Sequence, residues 1–243
     1  MEIITIRYYL TLPEGVRETF TVKLDVAKLE LVDNIPDSLP TWAQLDFCQC
    51  SHCPFTPAEC PYCPLAANLV PIVERFEGLI SYSEIAVDVM TAERFITQHT
   101  TVQRGMSSLM GLVMATSGCP YMAFFKPMAR FHLPFASAEE TVYRATSMYL
   151  LAQYFLNKEG HNADLTLAGL REIYYDIEVV NVAVAKRLRA ATEADSAVNA
   201  IILLDIYTKA MPVVIEESLG EIRYLFTPYF EELSKRSVKK PKG

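Results

Sequence analysis

Hydrophobic and polar positions alternate strictly at the start of the chain. Ile4, Ile6, Tyr8 and Leu10 share one face of a period-two pattern, and Thr5, Arg7 and Tyr9 share the other. Leu12-Pro13-Glu14-Gly15 supplies turn chemistry, and Phe20, Val22 and Leu24 resume the alternation. The pattern predicts a β-hairpin. Pro36, Pro40, Pro54, Pro57, Pro61 and Pro64 then interrupt any period, so an irregular segment is expected. Residues 65–76 read as a helix, with Pro71 as a kink or a late start. Residues 83–90 and 94–101 alternate again and predict a second strand pair. Residues 103–117 predict a helix, and Gly118 is suited to a left-handed stop before Cys119-Pro120.

The period changes to helical from Ser137 onward. Ser137-Ala138-Glu139-Glu140 has the form of a capping box, and a helix is expected to about Asn157, before Gly160. A second helix is expected over 165–190. Its stripe, Leu167, Leu170, Tyr174, Ile177, Asn181, Val184 and Leu188, has spacings of three and four. A third is expected over 194–217 with Pro212 as a kink, and a fourth over 219–233. The expected fold is α+β: N-terminal antiparallel hairpins with a Cys-rich loop at 48–63, packed on a mostly helical C-terminal half. Residues 1–130 and 131–233 then form two parts of one compact unit, and 234–243 form a basic, disordered tail.

Composition narrows the function classes. The 243 residues are 51% hydrophobic and carry a net charge of −7. A disordered chain is excluded, and an acidic body makes nucleic acid an unlikely partner except weakly, through the basic tail. No signal-peptide pattern opens the sequence, and no stretch of about 18 residues is apolar throughout, so a cytoplasmic protein with no membrane span is expected. In that compartment six cysteines read as thiols or metal ligands rather than disulfides.

Five of those cysteines, Cys48, Cys50, Cys53, Cys60 and Cys63, fall within sixteen residues. They contain the spacing C-x2-C-x6-C-x2-C from Cys50 to Cys63. Paired CxxC turns are a common way to set four thiolates around one ion. Proline follows Cys53, Cys60, Cys63 and Cys119, which stiffens each loop by fixing φ and removing an N–H. Zinc is the expected ion, and an iron–sulfur cluster is the rival. Cys60-Pro61-Tyr62-Cys63 also matches a redox tetrapeptide. That chemistry needs a preceding strand and a helix N-terminus to lower the thiol pKa, and the sequence predicts no strand there. His52, between Cys50 and Cys53, is a further possible ligand or a solvent-facing turn residue. Spacing alone favours Cys60 as the fourth ligand, while Cys119 is either a small buried side chain or a remote ligand.

Several longer stretches carry a resemblance. They are Arg104-Gly105-Met106-Ser107-Ser108-Leu109-Met110-Gly111-Leu112 with the following MATSGCP, PMARFHLPFA at 127–136 with Glu140-Thr141 and Tyr143-Arg144, and MYLLAQY at 148–154. Together they resemble a bacterial family catalogued as domain of unknown function 6901. The resemblance covers nearly the whole chain apart from the tail and brings no activity with it. It implies a CxxCP pair, a later CP-x-A and the SGCP as family features. These are Cys50, Cys53, Cys63 and Cys119 here, with Cys48 and Cys60 as extras.

Outside the cysteines, Arg130, His132, Glu140 and Arg144 gather near a helix start and outline a possible pocket. The plainer reading is a hydrogen-bonded structural histidine beside carboxylates that suit the helix dipole. Asn181, Asp195, Asn199 and Asp205 lie in otherwise apolar helices, and a polar network across two antiparallel helices, aided by Arg187 or Arg189, is expected. Met106, Met110 and Met114 read as a core stripe; His99 and His161 have no companions. The sequence therefore points to a metal-binding, structural-zinc protein that serves as a binding or regulatory module. The alternative is a metal- or iron–sulfur-dependent enzyme with a pocket near Cys119 and His132 or in the helical half. No protein or small-molecule partner is identified by these features.

Overall fold

The β-strands follow from the alternating patterns. In the computed structural model, which describes residues 1–32, 34–191, 195–217 and 219–238, β1 (Ile3–Thr11) and β2 (Arg17–Asp25) form the first hairpin, with Ile6 opposite Val22 and Tyr8 opposite Phe20. β3 (Glu84–Met90) and β4 (Phe95–Thr101) form the second. β1 also pairs antiparallel with β3, giving one sheet of order β2-β1-β3-β4. Ile6, Tyr8, Leu10, Phe20, Val22, Leu24, Ile85, Val87 and Val89 form its buried face. β4 is one of the two edge strands and is largely exposed, which suits its polar Thr97, Gln98 and His99.

Against this face lie α1 (Pro64–Arg75) and α2 (Val102–Thr116). Eleven of the fifteen α2 residues are buried, Met106, Met110 and Met114 among them, because α2 is covered on opposite sides. The sheet lies on one side and α6 (Asp195–Glu217) on the other. Close approach to the sheet depends on Gly105: a Cβ there would stand 3.0 Å from Ile85 Cδ1 and 3.2 Å from Val87 Cγ2. α6 packs in turn on α5 (Ala168–Ala191). One core cluster runs from the sheet through α1 and α2 into α5 and α6, and so joins the two parts of the chain. A smaller cluster joins α4 (Ala138–Lys158) to the first turns of α5, with Met211 and Ile222.

The helix ends refine the expected boundaries. Ser137 and Glu140 make the capping box reciprocally. Gly118 ends α2 at φ +87°, in the left-handed region. α1 runs unbroken through Pro71 and α6 through Pro212. α5 begins later than its hydrophobic stripe suggests. Asp164 accepts hydrogen bonds from the Thr166 and Gly169 amides and from the Tyr149 hydroxyl, and Leu167 adopts φ +65°, so 165–167 form a capping turn. A short α3 (Lys126–Arg130) and a 3-10 turn over Glu221–Phe226 were not apparent in the pattern. α7 (Thr227–Val238) carries the chain through the first half of the expected tail. No glycine or proline interrupts this stretch, and Lys235 pairs with Glu232 at 2.7 Å. The rest of that tail, from 239 onward, lies outside the described residues. No described helix is long and apolar enough to cross a membrane.

Candidate functional site

The proline-rich segment is ordered by its own backbone. Leu45 N–H donates to Pro61 O, and Cys63 N–H donates to Ala43 O, so 43–45 and 61–63 close the base of a loop. Within the loop, the Cys53 amide bonds back to Cys50 O at 3.0 Å, forming the expected CxxC turn. Cys63 then occupies the N-cap position of α1, with Pro64 as the first helical residue. The helix terminus of the CPYC motif thus falls on its second cysteine. Cys60 lies three residues before this N-cap and donates its thiol hydrogen to Tyr62 O. A redox dithiol would place its reactive first cysteine at the helix terminus, and this arrangement does not.

Cys119 arrives from the end of α2. The turn at Gly118 faces the start of α1: a Cβ on Gly118 would be 3.9 Å from Pro64 Cβ. Asn68, buried inside α1, holds the two ends together. Its Nδ2 donates to Pro64 O at 2.8 Å and to Ser117 O at 3.3 Å. Its Oδ1 accepts from Asn34. The one sequence signal of this role is that Asn68 is the lone polar side chain in the run 65–73.

These elements gather Cys50, Cys53, Cys63 and Cys119 around one cavity of about 20 Å3. Val180, Ala183, Val184 and Arg187, one face of α5, close its other side. Space of this size admits about one atom-sized guest. Cys60 and the exposed Cys48 do not line it. Among the described residues, no group of three or more His, Cys, Asp or Glu side chains is spaced to hold a metal ion; the four cysteines share a cavity wall.

Electrostatics shows what these thiols lack. The Cys50 thiol is pushed up to about 12, by burial first and then by its neighbours Cys63, Cys119 and Cys53, against a smaller opposing pull from Arg187. Burial also raises the Cys119 thiol, against the pull of the Met122 and Tyr121 amides. Negative charge on the neighbouring sulfurs opposes ionisation of Cys50, and a nearby cation would act in the opposite sense. Arg187, only 2% exposed, is the local positive charge. Instead of joining a polar network in the helices, it donates to the carbonyls of Trp42, Gln44 and Leu45 at 2.6–2.9 Å. It thereby fastens the base of the Cys loop to α5.

His52 is neither solvent-facing nor among the cavity-lining residues. Its ring stacks on Tyr121 at 3.8 Å, and Nε2 bonds Asp176 O at 3.0 Å. The Tyr121 hydroxyl donates to His52 O at 2.7 Å. This pair locks the turn that carries Cys50 and Cys53 to the segment that follows Cys119.

The second expected cluster divides. His132 and Arg144 line a separate cavity of about 450 Å3 among α2, α3, α4, α5 and α6. Arg130 and Glu140 do not line it: Arg130 faces Glu93 at 3.8 Å, and Glu140 is engaged in the helix cap. His132 hydrogen-bonds the hydroxyl of Tyr8, which also meets Ser108 Oγ at 2.9 Å. Burial, with a contribution from Arg144, lowers the His132 imidazole to about 3, so the ring is neutral near pH 7. The hydrogen-bonded histidine expected from the sequence is present, and it also stands on a cavity wall. Asn181 does pair across α5 and α6, donating to Thr208 Oγ1 at 3.0 Å. Asp195 and Asn199 instead bond Ser81, and Asp205 pairs with Lys209. Cys119 borders only the small cavity and His132 only the large one, so the two do not form a joint site.

A family model described as Domain of unknown function (DUF6901) matches residues 4–227, and the chain belongs to that family. No curated protein and no solved structure matches the chain.

Proposed function

We propose that this member of the DUF6901 family is a cytoplasmic metal-binding protein that uses Cys50, Cys53, Cys63 and Cys119 to hold one structural Zn2+ and serves as a binding module. The observation that carries this reading is the convergence of thiols from three separate segments on one atom-sized cavity. Room for a single ion favours zinc over an iron–sulfur cluster, which brings several iron and sulfide atoms of its own. Four thiolates make a closed coordination shell, which fastens a fold and leaves no position for a substrate. A cytoplasmic setting fits, because a reducing compartment keeps cysteines available as ligands.

The protein's own groups prepare the site. Cys63 stands at the N-cap of α1. The Tyr121 and Met122 amides favour negative charge on the Cys119 sulfur. The Arg187 guanidinium offsets part of the excess anionic charge that four thiolates would bring. Asn68 and the His52–Tyr121 pair hold the three segments in register.

Protein purified without oxygen is expected to be colourless and to contain about one zinc per chain. Cys119→Ser should sharply lower zinc occupancy and melting temperature, whereas Cys60→Ser should leave both nearly unchanged. A brown preparation with sulfur-to-iron charge-transfer absorption would replace zinc by a cluster. The reverse ranking of the two serine variants would restore Cys60 as the fourth ligand.

A further inference from the structure

We infer that the 450 Å3 cavity among the helices is a binding site for a small amphipathic carboxylate, with its head at Arg144, its apolar body between α2, α5 and α6, and a hydroxyl group directed to Asn181. The cavity lies within the size range of small-molecule sites, and its walls have the matching character: mostly apolar with a few fixed polar groups. Phe125, Leu112, Ile177 and several methionines supply the apolar surface, and methionine adapts to guests of varied shape.

Charge selects the head group. Arg144 and Arg104 line the cavity, and among the described residues no aspartate or glutamate does. The Arg144 guanidinium is half-buried and spends one nitrogen on the Met128 and Phe131 carbonyls, each at 3.0 Å. Glu140, one turn earlier, is the acid that acts on Arg144, and it is engaged in the α4 cap. A half-buried cation beside neutral carbonyls is stabilised by an anion that brings its own charge. A carboxylate matches the planar guanidinium fork. His132 is neutral there, so the site offers little to a dianion.

Asn181 supplies the second, independent observation. It is 2% exposed and lines the cavity, and its Oδ1 has no hydrogen-bond partner. A buried acceptor left unpaired is costly, and a ligand hydroxyl would satisfy it. Tyr174, which is electrostatically coupled to Arg144, lies two helical turns before Asn181 on α5. Tyr174 and Asn181, both on the cavity wall, are therefore about 10 Å apart along α5.

The test is isothermal titration of the full-length, metal-loaded protein with decanoate, 10-hydroxydecanoate and decyltrimethylammonium, with thermal melts as a folding control. Decanoate should bind, 10-hydroxydecanoate should bind several-fold more tightly, and the ammonium should not bind. Arg144→Gln should weaken both acids about tenfold, and Asn181→Leu should abolish the preference for the hydroxy acid. Ala136→Trp, which projects bulk from the loop before α4, should block both acids without disturbing the core. Equal binding of the ammonium, no binding of either acid up to about 1 mM, or acid binding unchanged in Ala136→Trp and Arg144→Gln would overturn the assignment.

Discussion

The two cavities are built on opposite principles. The thiol cavity is small, with room for about one atom. Its walls come from a compact sequence motif plus one remote cysteine. The helical cavity is more than twenty times larger in volume and is lined by residues scattered from 103 to 211. The first is held by backbone closures, by Arg187 and by Asn68, each with a fixed partner. The second has spare space, an unpartnered acceptor and soft methionine walls. A tight cavity whose walls are pinned by Arg187 and Asn68 suits a permanent ion, and a roomy one with an unsatisfied polar group on its wall suits an exchangeable ligand. The thiol side should therefore be intolerant of substitution and the helical side tolerant.

The sharpest way to break that comparison is at Arg187. Arg187→Met removes the donor to three carbonyls, those of Trp42 and Leu45 buried, and should cost about 3–5 kcal/mol. Denaturant unfolding would measure this, and zinc occupancy should fall with it. A loss below about 1 kcal/mol would mean that the loop holds itself and that the two cavities do not differ as described.

Next in size is Gly105→Ala, where the added methyl meets Ile85 and Val87 at 3.0–3.2 Å. Overpacking of this kind should cost about 1–3 kcal/mol, read as a lower denaturation midpoint.

The pH dependence probes the other region. The folded-state pKa of His132 is depressed below its ordinary value, so the unfolded chain binds the extra proton first. The stability contributed by the neutral ring is complete above about pH 6.5 and is lost as pH falls toward the folded value of about 3. Over that window the wild-type protein should lose up to about 1.4 kcal/mol per pH unit relative to His132→Gln. Parallel stability curves for the two proteins would show that the ring titrates freely and that this wall is not buried.

The smallest expected effect has the opposite sign. Gly111→Ala lies in the same helix as Gly105, but its methyl would meet Leu204 at 3.5 Å, an ordinary contact beside open cavity. Gain in helix propensity should raise stability by about 0.5–1 kcal/mol. A pair of alanine variants in one helix with opposite signs would show directly where α2 is tight and where it is open.

Local chemistry made much of the molecule legible from sequence. Both hairpins, α1, α2 and the Ser137 capping box follow from periodicity and from side chains acting on their nearest backbone neighbours. The start of α5 was read early because the apolar stripe continues into a turn. Asp164 takes the backbone amides there, and a hydrogen-bond competition of that kind leaves no mark on hydrophobic spacing.

Sequence by itself determined the four-stranded hairpin material, the helical half and a cysteine set rich enough to suggest a metal. Tertiary structure decided which cysteines meet. Cys60 is nearer in sequence to its neighbours than Cys119 is, yet Cys119 borders their cavity because the end of α2 is pinned to the start of α1 through Asn68. It also decided that Arg187 serves the loop rather than the helices, that His52 packs on Tyr121, and that His132 and Asn181 face a shared space. Each of these depends on a partner some 27 to 145 residues away in the chain. Local propensity acts over a turn or a strand pair, so it carries no information on such partners until the sheet and helices have packed.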